Sequence, residues 1–272
     1  MTSLAERAVA VLTAADPDDK VRLSDQAALA WRRGELAGIG CCPPPDRPAR
    51  PDLPVTLAPK HMPRRRLGGP AGKVAMIHAL AHIELNAIDL AWDIIARFAA
   101  PALPAAFYDD WVTVAADEAA HFAALADLLP AVGSFYGALP AHDGLWEAAD
   151  KTAHDLIERL AVIPMTLEAR ALDTAPATIA RLQEAGEAQV TAVLSTILED
   201  EIGHVAAGVR WFETLCRTRG DDPIARYHAI IRRHFPKGLK APFNQAARAR
   251  ANFPPAYWEP LAHPGPARPL RA

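Results

Sequence analysis

The chain has 272 residues and a mass of 29.3 kDa, enough for one large domain or two small ones with a substantial core. Its 51% hydrophobic and 22% charged residues exclude a disordered chain, and a formal charge of −3 leaves no overall footprint for nucleic acid or an anionic membrane. Cys41, Cys42 and Cys216 fit neither a disulfide framework nor a zinc spacing, no continuous run of about 18 apolar residues marks a membrane span, and Asp16-Pro17-Asp18-Asp19 cuts off the apolar run that a secretion signal would need, so the expected setting is reduced and cytoplasmic.

Alanine is abundant, β-branched residues are few, and apolar positions recur at helical spacing. The reading is all-α. Residues 3–15 and 18–36 form two short helices. Residues 43–70 hold nine of the 25 prolines and form an extended arm, because proline removes an amide donor and disfavours helix in the residue before it. Four long helical segments follow at 71–98, 104–130, 143–173 and 187–218, broken at Pro101–Pro104, at Pro130–Asp143 and after Asp173. A helix of about 27 residues runs about 40 Å, which suits a bundle. Pro223 opens a further helix of about 12 residues at a favoured first-turn position, before a proline-punctuated tail. The expected organisation is 1–70 as N-terminal helices and proline-rich arm, 71–220 as a four-helix bundle, and 221–272 as a helical extension and tail.

Two of the long segments carry the same motif, Glu118-Ala119-Ala120-His121 and Glu201-Ile202-Gly203-His204. At spacing i, i+3 the carboxylate and the imidazole share one helix face and can hold one metal or two adjacent ones. With 13 glutamates and 10 histidines, about 0.5 such motifs arise by chance, so two alone do not decide the matter. The other two long segments do. Glu84 and Glu168 each sit in a largely apolar stretch where an unpaired carboxylate should not be buried. Glu84 precedes Glu118 by 34 residues and Glu168 precedes Glu201 by 33, so each helical hairpin repeats Glu, then Glu-x-x-His. That is the ligand set of dinuclear iron or manganese carboxylate bundles. Four carboxylates balance two divalent ions, and carboxylate oxygens with one imidazole per ion favour iron or manganese over thiolate-type zinc. The 47 residues from His121 to Glu168 leave room for a long crossover, with 131–143 as its natural place.

The sequence resembles the ferritin-like superfamily, and more closely an uncharacterised bacterial group of ferritin-like domains of unknown function. The resemblance covers roughly residues 20–250. It is carried by His78-Ala79-Leu80-Ala81-His82-Ile83-Glu84-Leu85, Phe107-Tyr108-Asp109-Asp110-Trp111, Pro140-Ala141-His142-Asp143-Gly144-Leu145-Trp146, Leu167-Glu168-Ala169-Arg170 and Asp200-Glu201-Ile202-Gly203-His204-Val205. It implies a ferritin-like four-helix bundle with Glu84, Glu118, His121, Glu168, Glu201 and His204 as metal ligands, and it implies no substrate. The tRNA-modifying hydroxylases of the superfamily offer a fold-level analogue, with a modified RNA base as substrate.

Other residues are weighed against plainer readings. His82 lies about 200° around the helix from Glu84 and cannot share its face, and His78 is read as structural in the same way. Asp117 and Asp200 are either holders of neighbouring groups or exposed helix charges. Asp89 and Asp173, each five residues past a lone glutamate, could reach a histidine on the adjacent helix. Trp111, Trp211 and Tyr108 are read as core packing rather than as a redox relay or a pocket wall. Cys41-Cys42 is an ordinary thiol pair. Arg64-Arg65-Arg66, with Arg232, Arg233, Lys237 and Lys240, is a solvated charge set or an anion- or RNA-binding patch. Pro164, four residues before Glu168, either kinks or bulges the helix or breaks it.

The expected function is a dinuclear iron oxidase or oxygenase, with manganese as the alternative metal. It would act with dioxygen on an organic substrate and draw electrons from an external donor such as a ferredoxin or reductase. Glu84 and Glu168 would be terminal ligands, Glu118 and Glu201 bridging carboxylates, and His121 and His204 one imidazole per ion. The alternatives are a ferroxidase or iron-handling protein, and a non-catalytic, metal-stabilised helical interaction module. No glycine-rich dinucleotide fingerprint, P-loop or nucleophile elbow is present, so nicotinamide, ATP and acyl-enzyme chemistry lack support.

Overall fold

The computed structural model describes residues 1–63 and 69–263, in two compact units, Met1–Ala153 and His154–Ala272. Regular structure is almost wholly helical. Among the described residues, strand is confined to a short parallel pair, Leu239–Lys240 (β1) with Ala262–His263 (β2), and one bridge between Thr56 and Ala141.

In the first unit, Ser3 and Glu6 cap each other's backbone amides and start α1 (Leu4–Thr13). Asp16 accepts from the amides of Asp18 and Asp19, and Pro17 occupies the first turn of α2 (Pro17–Arg32). The second helix ends at Arg32 rather than at residue 36, since Gly34 turns the chain with φ 68°. A hairpin of α3 (Gly69–Arg97) and α4 (Ala105–Ala126) forms the centre, with α1 against α3 and α2 against α4.

The proline-rich arm is extended as expected, apart from a short turn at Pro59–His61, and it is strapped down. Ala49 N donates to Leu12 O (2.8 Å), Arg97 Nη2 donates to Pro45 O (3.0 Å), and Leu57 N donates to Ala141 O (2.8 Å). Arg64, Arg65 and Arg66 lie outside the described residues.

By length and composition α3 is apolar enough to cross a membrane, contrary to the expectation from continuous runs. Averaged hydropathy passes where a strict run is interrupted by His78, His82, Glu84, Asn86 and Asp89. All five are buried, as is 67% of the apolar window, so α3 behaves as the core helix of a globular unit.

The segment expected as one helix over 143–173 is two. The first, α5 (Gly144–Lys151), closes the first unit. After a break, Asp155 accepts from the amides of Ile157 and Glu158 and starts a new rod in the second unit. That rod is α6 (Leu156–Val162), a π-helical turn (Ile163–Glu168) and α7 (Ala169–Glu184). Pro164 thus produces a bulge, not a break. A π turn pairs each amide one residue further back, so the next amide can meet the carbonyl that the proline leaves. The helix also runs past Asp173, through Pro176. The carbonyl four residues before Pro176, that of Leu172, instead accepts from Asn244 Nδ2 (3.1 Å). α8 (Ala188–Arg219) packs on α7 and α6, and α9 (Pro223–His234) packs on α6 and α8. Two short helices, α10 (Gln245–Arg250) and α11 (Pro255–Trp258), complete the second unit.

Candidate metal centre

Glu84 lies in the middle of α3, and Glu118 and His121 lie on one face of α4. All three are buried, and one ligand atom from each lies within 4.8 Å of the others. His121 Nδ1 is 3.4 Å from Glu118 Oε2 and 3.7 Å from Glu84 Oε2. Burial, reinforced by the Glu118 charge, pushes the Glu84 carboxyl up to about 8. Burial opposes charge on His121, but the adjacent Glu118 and Glu84 carboxyl groups outweigh it and raise the imidazole to about 11. Two carboxyl groups and an imidazole thus crowd one buried spot, the place where a divalent cation would relieve the carboxylate charge. Two buried carboxylates and an imidazole converging on one point fit a hard or borderline metal ion.

The second unit repeats half of this geometry directly. Glu201 and His204 are buried on α8, with His204 Nδ1 3.7 Å from Glu201 Oε2. Glu168 is half-buried and is the last residue of the π turn.

Asp89 and Asp173 meet cations rather than histidines. Asp89 Oδ1 accepts from Lys20 Nζ (2.6 Å), and its other oxygen pairs with Arg50 of the proline arm. Asp173 accepts two bonds from Arg248 (2.9 and 2.7 Å), one from the Asn244 amide (2.9 Å) and one from Arg170 (2.9 Å). The Arg248 guanidinium is boxed by the rings of Phe243, Phe253 and Trp258, at 5.1, 5.1 and 5.2 Å. Residue spacing pointed to the two aspartates but not to Lys20, Arg50 or Arg248, which come from the N- and C-terminal extensions.

The remaining histidines of α3 are tied to the 131–143 link. His78 Nε2 accepts from the amides of Gly137 (3.0 Å) and Leu139 (3.3 Å), which fixes the 131–143 link. His82 Nδ1 is 2.8 Å from the hydroxyl of Tyr136, whose ring stacks on both histidines. Tyr108 bonds the backbone of Ala100, while Trp111 and Trp211 are buried in their respective units. Asp117 and Asp200 are partly exposed. A cleft of about 60 Å³ at Ala79, His82 and His142 and a groove of about 380 Å³ at Ile179, Ile202 and Ala247 are lined by none of the six candidate ligands.

Against known proteins, residues 13–259 match the family described as "Protein of unknown function (DUF455)". An uncharacterized protein of Haemophilus influenzae (strain ATCC 51907 / DSM 11121 / KW20 / Rd) is 38% identical over 210 residues, covering 75% of this chain and 73% of its own length. No solved structure matches the chain. With nearly its whole length matched, the chain belongs to the DUF455 family of proteins of unknown function.

Proposed function

We propose that this chain is a ferritin-like dinuclear iron oxidase or oxygenase. Glu84, Glu118 and His121 supply one ligand set, and Glu168, Glu201 and His204 the other. The observation that carries this reading is the buried convergence of Glu84, Glu118 and His121, on a sequence pattern that the second hairpin repeats. Glu84 and Glu168 would each hold one ion as terminal ligands, and Glu118 and Glu201 would supply the carboxylates shared by the pair. Four carboxylates neutralise two divalent ions, so the filled set carries no net charge into a buried place. Buried Ile88, one turn from Glu84, and buried Ala115, one turn before Glu118, keep the ligand faces dry. Bound iron supplies the dioxygen chemistry that no side chain here performs. The chain carries no flavin or iron–sulfur signature, so the reductant comes from a separate electron donor. Its three cysteines, none in a disulfide, suit a reducing, cytoplasmic setting.

Metal content tests this. Protein reconstituted anaerobically with ferrous iron and desalted should hold about two irons per chain by elemental mass spectrometry. The Glu118→Ala/His204→Ala variant should hold none. Unchanged metal content in that variant overturns the ligand assignment. Retention of manganese but not iron would reassign the metal.

A further inference from the structure

The π turn that ends at Glu168 is braced from outside its own helix. Thr166 lies inside the turn, and its hydroxyl is 2.8 Å from Ala161 O and 2.8 Å from the hydroxyl of Tyr227 on α9. A carbonyl can only accept, so the single Thr166 proton goes to Ala161 O and the Tyr227 hydroxyl donates to Thr166. Tyr227 O also lies 3.4 Å from Met165 O, a weaker share of the same proton. The chain Tyr227 → Thr166 → Ala161 thus pins both sides of the bulge. The ring that delivers this bond is fully buried. It is held edge-on by Phe212 (6.0 Å), Phe253 (5.7 Å) and Tyr257 (5.4 Å). On the other side, α8 presents Gly208 to Pro164. A β-carbon at 208 would stand 2.7 Å from Pro164 Cβ, so only glycine admits the bulged helix this close.

We propose that Tyr227 is a positioning residue: through Thr166 it fixes the π turn that aims Glu168, and so governs metal binding by the second ligand set. This rests on Glu168 being a metal ligand, as proposed above. A π turn rotates every later side chain relative to a regular helix, so a relaxed bulge would re-aim Glu168 without unfolding α7.

The test compares the full chain with Tyr227→Phe, Thr166→Val and Thr166→Ser, titrated anaerobically with Co²⁺ and followed by its visible absorption. Tyr227→Phe keeps the ring and loses only the hydroxyl, and Thr166→Ser restores the relay that Thr166→Val breaks. The expected result is two equivalents bound by wild type and Thr166→Ser. In Tyr227→Phe and Thr166→Val, the first equivalent should stay unchanged and the second weaken at least tenfold. Amide exchange across residues 163–169 of the metal-free Tyr227→Phe protein should rise, with α8 unaffected. Two equivalents bound as tightly by Tyr227→Phe as by wild type would overturn the proposal and leave the ligand assignment standing. A wild type that binds no metal would overturn both. Should Tyr227→Phe fail to fold, the Thr166→Val and Thr166→Ser pair decides alone.

Discussion

Lys20 is fully buried, with three oxygens around its ammonium group. It donates to Asp89 at 2.6 Å and to Val11 O at 3.0 Å, with Leu12 O at 3.5 Å. Those carbonyls belong to the last turn of α1, which has no basic residue of its own. Lys20 therefore caps one helix while neutralising an aspartate on another, at the negative end of the helix dipole. Burial lowers its pKa, and the Asp89 charge works against that. Removing one partner of a buried pair leaves the other uncompensated, so Lys20→Met should cost about 3–5 kcal/mol in urea unfolding. Arg22 and Asp19 form a pair of the same 2.6 Å length, more than half exposed on both sides. Arg22→Met should cost about 0–1 kcal/mol, because solvent screens it. Equal losses for the two variants would mean that burial does not set the scale. The sequence pointed to Asp89 through its distance from Glu84, and offered a histidine on the adjacent helix as one partner it could reach. Its partners are Lys20, 69 residues away on α2, and Arg50 of the proline arm, and spacing along one helix carries no information about such pairings.

The helices were legible where a local rule sets their ends. Pro223 opens α9, which runs its expected 12 residues. Ligand spacing put Glu84, Glu118, His121, Glu201 and His204 on long helices, and all five are there. The span 143–173 was misread because helical periodicity persists across Thr152–Asp155, where the chain stops and restarts on the Asp155 cap. The reach of α7 past Pro176 was illegible for a different reason, since it depends on an Asn244 side chain from the C-terminal extension. The π turn was half legible. Pro164 marked the place, whereas Gly208 and Tyr227, which make the bulge fit, carry no mark in the sequence. Gly208→Ala tests the fit directly. Its methyl would enter the space of the Pro164 ring, backed by Met165 Cγ at 3.6 Å. Overpacking of this kind should cost about 1–3 kcal/mol in thermal or urea unfolding. Gly203, with nothing within 4 Å of an added β-carbon, is the control on the same helix, and Gly203→Ala should be neutral or stabilising by up to about 1 kcal/mol. A Gly208→Ala variant as stable as Gly203→Ala would show that Pro164 and α8 do not constrain each other.

Across the whole chain, each compact unit holds one Glu-x-x-His and, 33 or 34 residues before it, a candidate glutamate whose helix is pinned through an aspartate five residues on. The repeat was readable because both copies obey the same spacing. The clamps were not, because one comes from α2 and the proline arm and the other from α10. Cys216 gives a probe of the folded state as a whole. It is buried on α8, and burial, with Asp221 nearby, pushes its thiol up to about 11. Cys41 is exposed and Cys42 partly so. At pH 8 a thiol reagent should modify Cys41 first and Cys42 more slowly. Cys216 is doubly protected: little of it is thiolate, and the reagent reaches it only when the second unit opens. Metal that binds the native state alone lowers the open population by the factor 1 + [L]/Kd, about a hundredfold at 100 times Kd, or about 2.7 kcal/mol. Labelling of Cys216 should slow by that factor on adding ferrous iron anaerobically, with Cys41 unchanged as the internal standard. In Glu118→Ala/His204→Ala the slowing should vanish. A Cys216 that labels as fast as Cys41 would contradict its burial. A metal effect that survives in the double variant would place the stabilising ion elsewhere than on these ligands.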